Sequence, residues 1–198
     1  MSNRHRSAVL MALAIFCWVG LAAAQDLHPS RRPSPMGTAR ITLDETYVRI
    51  VYSRPYKRGR DNIFGSEASG ALVPYDKIWR TGANEATEIT TTGALTIGGQ
   101  KLPAGTYSIF TTPGEITWKI HFNSTLGLSG TGSFDPETRK FVAADLPSTD
   151  VLVLDADAQQ LEEEVDQFTI ALESSDEDGA DMCLRWITTE VCVPVSVP

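Results

Sequence analysis

Histidine and cysteine are scarce, three of each in 198 residues, and none falls into a metal-spaced cluster, so the sequence calls for neither a metal nor a cofactor. Basic residues are outnumbered: 17 Lys and Arg against 25 Asp and Glu give a formal charge of −8, which excludes nucleic-acid binding by bulk phosphate neutralisation. Beyond the first 24 residues no long apolar run occurs, so no membrane span is expected in the body of the chain. A nucleophile elbow is missing too, since Gly127-Leu128-Ser129-Gly130-Thr131 ends in Thr where the last Gly belongs. The glycines from Gly127 to Gly132 lack the strand-turn-helix setting of a phosphate cradle and read as a loop.

What is present begins with an export signal. Arg4 and Arg6 precede the apolar run Ala8 to Leu21, and Ala22-Ala23-Ala24 supplies small residues ahead of Gln25. At about 14 apolar residues the run is shorter than the roughly 20 that span a bilayer. Cleavage after Ala24 is expected, leaving a periplasmic or extracellular protein with no membrane insertion. Loss of two arginines and no acid takes the charge from −8 to −10. Residues 25–36, with three prolines, read as a tether or irregular arm, and residues 37–198 as one β domain.

Only Cys183 and Cys192 survive cleavage, in a compartment where disulfides persist. A hairpin turning at Ile187-Thr188 would oppose the two cysteines at disulfide distance, whereas a straight strand would hold them roughly 30 Å apart. Two unlinked buried thiols are the alternative.

Apolar residues recur with period two in Val48, Ile50 and Tyr52, in Trp118, Ile120 and Phe122, and in Phe168, Ile170 and Leu172. Such alternation marks strands with one buried face. Turn residues separate the runs: Asp44-Glu45, Gly98-Gly99, Pro113-Gly114 and Asp135-Pro136. Gln159 to Phe168 alone has helical spacing, and its Glu162-Glu163-Glu164 fits a charged loop equally well. Without a β-helix-β rhythm, the expected fold is mainly β, an antiparallel β-sandwich or barrel-like body of about 8–10 short strands with at most one short helix. The segment Ser174 to Asp181 lacks the terminal Glu and flanking helices of a calcium loop and reads as an acidic turn. His121 alternates away from its apolar neighbours and is expected on the surface.

The densest polar information lies between Tyr52 and Glu88. Arg54, Lys57, Arg58 and Arg60 crowd positive charge that internal carboxylates or an anionic ligand must offset. Trp79-Arg80-Thr81-Gly82-Ala83-Asn84-Glu85-Ala86-Thr87-Glu88 is too polar for core. It could present groups to a ligand, or Arg80 and Glu85 could pin a long connection with Trp79 as anchor.

These stretches, Tyr52-Ser53-Arg54-Pro55, Lys57-Arg58-Gly59-Arg60, Ile63-Phe64-Gly65, Leu72-Val73-Pro74-Tyr75, the Trp79 to Thr87 run and Leu102-Pro103-Ala104-Gly105-Thr106-Tyr107-Ser108, resemble the bacterial exported DUF2911 family over about residues 33 to 195. The resemblance implies a mainly β protein of the bacterial periplasm or exterior. The family carries no assigned activity, so no reaction is implied. After Asn123 the chain departs from the pattern, with Leu128 in place of an aromatic residue, and the cysteine pair is not a family feature.

The residues thus point to a module that binds a small polar or anionic ligand, a saccharide or envelope component. Arg54, Lys57 and Arg60 would hold charge, Asn84 and Glu85 would fix hydrogen bonds, and Trp79 would pack or stack beside Arg80. No catalytic residue stands out. A hydrolase or isomerase using Glu85 or Glu88 as base with Arg80 stabilising an anion, and a purely structural envelope protein, are the rival expectations.

Overall fold

Strand alternation sets the architecture. In β2 (Thr46–Ser53) Val48, Ile50 and Tyr52 are buried while Tyr47 and Arg49 are exposed. In β9 (Thr117–Asn123) Trp118, Ile120 and Phe122 face the same core. The computed structural model describes residues 31–175 and 179–198, and the contact-dense body runs from Pro33 to Pro198. The expected signal sequence and most of the proline-rich arm lie outside the described residues, as do Asp176 to Asp178 of the acidic turn.

Around β2 and β9 stand β1 (Met36–Leu43), β3 (Phe64–Gly65), β4 (Val73–Pro74), β5 (Thr87–Thr91), β6 (Leu95–Ile97), β7 (Gln100–Leu102), β8 (Gly105–Thr112), β10 (Gly132–Asp135), β11 (Lys140–Ala143), β12 (Asp150–Ser175) and β13 (Gly179–Ser196). The main sheet runs β1-β2-β5-β8-β9-β12-β13-β6-β7, with antiparallel neighbours. Mainly β, with nothing helical beyond short 3-10 turns among the described residues, it has the expected fold class. No helix among the described residues is long and apolar enough to cross a membrane. All four turns fall where the sequence puts them, and Gly98-Gly99 joins β6 to β7 with φ of +54° and +78°, the left-handed pair that a two-residue hairpin needs.

The sheet folds over itself through β12. Its first part pairs with β9 as far as Asp157, and from Ala158 on it pairs with β13. Phe168 in the far part meets Tyr52 of β2 edge-on at 5.8 Å, so two layers enclose one core. Neither a helix nor a loop forms at 159–168. From Gln160 to Val165 the ladder advances five residues on β12 but only two on β13, because β13 turns sharply at Ile187 (φ +48°) and β12 takes the outer path. The exposed Glu162-Glu163-Glu164 lines that outer bend.

The bend also joins Cys183 to Cys192 as a disulfide, with Cα atoms 4.1 Å apart. The cysteines are opposed about Ile187, as a turn at 187–188 requires. The separate hairpin ladder is not what forms, however: the two halves of β13 pair with β12 and β6.

Candidate functional site

The cationic bend spends its charge internally. Arg54 Nε donates to Phe168 O at 3.1 Å and its Nη2 to Thr169 Oγ1 at 2.8 Å, so this guanidinium ties β2 to β12. Lys57 Nζ reaches Glu164 Oε2 at 2.7 Å and Asp61 at 3.7 Å, and the Glu164 hydrogen bond raises its pKa. Arg58 donates to Pro33 O and Arg60 to Tyr56 O.

The tryptophan-led run turns two ways. Trp79 pairs with Thr111 of β8 and directs its ring inward, stacked on Trp186 at 6.0 Å and edge-on to Phe168 at 5.1 Å. It is a core anchor whose Nε1 donates to Gly82 O. At Gly82 φ is +153° and a β-carbon would stand 2.7 Å from Ser53 O, so only glycine fits against β2. Asn84 (φ +57°) donates from Nδ2 to Ser34 O and to Ser53 Oγ, both at 3.1 Å, fastening the run to the arm and to β2. The run and the bend therefore meet at Ser53, but their cationic heads diverge.

Arg80, on the opposite side of the chain from Trp79, belongs to the outer face of the sheet. Its Nη1 lies against Gly130 of the loop after β9. That face is covered by a small second core of Ala86, Phe110, Leu128 and Leu146 with Ile78 and Ala144 beside it. The loops are joined there, Ala86 N donating to Leu128 O and Glu85 bridging Ser129. Arg80 is half-buried, its Nε is shut off from water, and it has no acceptor among the described residues. Desolvation lowers its pKa. No ion pair to Glu85 or any other described acid is formed, against the pinning role that the sequence allowed.

Beside this ladder opens a cleft of about 270 Å³ lined by Met36, Val51, Ser53, Glu85, Glu88 and Leu128 among others. Glu88 Oε1 accepts from Gly127 N at 3.3 Å. Of the expected ligand-binding residues only Glu85 lines the cleft, joined by Glu88, the alternative candidate base. Glu88 pairs with Ser108 on β8. A second cavity, about 360 Å³, lies by Phe64, Trp118 and Gln160 and holds none of the expected residues.

Sequence reasoning missed a polar network on the same outer face. His121 is not a surface residue: it is 9% exposed, and its Nδ1 lies 2.8 Å from Asp150 Oδ2 while its Nε2 lies 3.1 Å from Thr112 Oγ1. Asn123 Nδ2 donates to Asp150 Oδ1 at 2.8 Å and to Leu146 O at 2.7 Å. The faint signal was a pair of polar residues, His121 and Asn123, sharing one face of a strand. Asp150 lies far along the chain and gave none.

No curated protein and no solved structure matches the chain. A family model does, over residues 34–195, covering the sheet, the cleft and the Thr112–His121–Asp150 network. The chain belongs to the DUF2911 family of proteins of unknown function.

Proposed function

We propose that this is an exported, periplasmic or extracellular, module that binds a small polar ligand through an anionic group, with an acidic saccharide or envelope component as the class that fits. The observation that carries the reading is Arg80. A guanidinium partly withdrawn from water, its Nε without an acceptor among the described residues, loses hydration that a bound oxyanion would restore with charge-assisted hydrogen bonds. The neighbouring cleft supports a saccharide: Met36, Val51 and Leu128 offer an apolar wall for a ring face, and Glu85, Glu88 and Ser53 offer acceptors for hydroxyls.

The test compares melting of wild type and Arg80→Met in sulfate, phosphate, glucuronate and uncharged glucose at matched ionic strength. Saturable stabilisation of wild type by an anion, reaching about 2.7 kcal/mol at a hundred times Kd and absent from Arg80→Met, is expected. Equal shifts in both proteins would remove the reading. Export is tested separately by the N-terminus of protein recovered outside the cytoplasm, expected at Gln25.

A further inference from the structure

We propose that Thr112, His121 and Asp150 form an acyl-transfer site in which the Thr112 hydroxyl attacks carboxylic esters. The three groups sit on adjacent strands β8, β9 and β12, side by side on the outer face, and do not involve Arg80 or the cleft. A carboxylate at Asp150 accepts from His121 Nδ1–H across the hydrogen bond of 2.8 Å, and in the neutral imidazole that tautomer carries its lone pair on Nε2. That nitrogen is 3.1 Å from Thr112 Oγ1, the geometry of a hydroxyl held against its base. The carboxylate is itself fixed by Asn123 Nδ2, and Asn123 Oδ1 in turn accepts from Thr125 N and Thr149 Oγ1.

Two features distinguish this from an ordinary satisfied core network. The ladder between β12 and β9 is irregular between Asp150 and Leu152, so that Asp150 pairs with Asn123 and its carboxylate joins the face of His121. Irregularities of this kind re-aim side chains beside active sites. The base and carboxylate are also shielded, each side chain 11% exposed, while Thr112 at the end of β8 is only partly buried. Its β-branched side chain restricts χ1 and keeps Oγ1 in place.

In the reaction, a bond forms from Thr112 Oγ1 to the ester carbonyl carbon as the carbonyl π pair moves to oxygen, and the hydroxyl proton passes to His121 Nε2. Collapse breaks the bond to the leaving alkoxide, which takes that proton and departs as the alcohol, leaving O-acyl threonine. Water, deprotonated by the same nitrogen, then attacks the acyl group. The carboxylic acid leaves, and Thr112 regains its proton. Thr112 and His121 are the catalytic residues, and Asp150 and Asn123 position the base.

The mature chain is mixed with p-nitrophenyl acetate, and nitrophenol release, intact mass and the acetylated peptide are read. One acetyl group on Thr112 is expected, with nitrophenol released at least tenfold faster than by Thr112→Val, and Thr112→Ser is expected to keep both the release and the acetyl group at residue 112. Asp150→Asn is expected to lower the acylation rate constant on the order of 100-fold with the apparent affinity for the ester unchanged. Melting curves accompany each variant, and the Val and Ser pair decides the question even if Asp150→Asn folds poorly. Acetyl found on the exposed Lys119 instead, or equal rates in wild type and Thr112→Val, would overturn the proposal. Neither result bears on the anion response of Arg80, which is measured without ester.

Discussion

Arg80 Nη1 stands 2.9 Å from where a β-carbon on residue 130 would lie, and Gly130 has φ +81°. Glycine therefore lets the loop after β9 pass over the guanidinium without displacing it. Gly130→Ala adds left-handed backbone strain to a clash with the flexible end of Arg80, for a loss of about 1–2 kcal/mol. Chemical denaturation should show that loss, and anion titration of the variant should show a weakened response, because the displaced guanidinium no longer points as before.

Removing the charge has the opposite sign. In Arg80→Leu the desolvated donor without an acceptor among the described residues goes, while the apolar stem is replaced by an apolar side chain. Melting in low-salt buffer free of added anion is expected at or above the wild-type temperature. A fall of several degrees would mean that Arg80 is structurally satisfied, by water or by a contact that the static fold does not hold.

Much of the fold was legible because period two and turn chemistry are local. Val48-Ile50-Tyr52 and Gly98-Gly99 announce a strand and a hairpin from within a few residues. The 159–168 stretch was not, since its extra residues exist only to lengthen the outer strand around the bend at Ile187. The site was half legible. Side chains that look alike in sequence, Arg54 and Arg80, differ because one finds Phe168 O and Thr169 Oγ1 from 114 and 115 residues away and the other finds no acceptor among the described residues. Such long-range pairing leaves no local trace, and for the same reason Asp150 could not be matched to His121.

Tyr52 closes the sandwich with a single hydroxyl. Its oxygen accepts from Ile170 N at 2.9 Å and donates to Ile170 O at 3.1 Å, both buried, and burial raises its pKa. Tyr52→Phe keeps the ring packed on Phe168 but leaves a buried backbone N–H and C=O without that partner. A destabilisation of about 1–3 kcal/mol follows, read as a lower denaturation midpoint at unchanged m-value.

The Cys183–Cys192 bond closes a loop of nine steps at the corner of β13. Chain entropy for so short a loop gives about 2–3 kcal/mol, so the Cys183→Ala, Cys192→Ala double variant should melt roughly 5–10 °C below the oxidised wild type. The corner survives, since Arg185 Nε still reaches Glu190 across the same bend. Circular dichroism should therefore show the strand signal intact at 25 °C.

The same arginine makes stability depend on acid. Arg185 Nη2 donates to Glu173 Oε2 at 2.8 Å across the β12–β13 ladder, and this hydrogen bond holds the Glu173 carboxyl below its ordinary value of 4.5. A depressed carboxyl contributes stability that is complete above the unfolded-state value and is lost as pH falls through the folded-state one. Glu173 is half exposed, which limits its contribution to below about 1 kcal/mol. Glu173→Gln should accordingly melt about 1–3 °C below wild type at neutral pH, and the two curves should converge as pH drops from 4.5 toward 2. A gap that stayed constant over that range would show that the pair acts through packing of the two side chains rather than through charge.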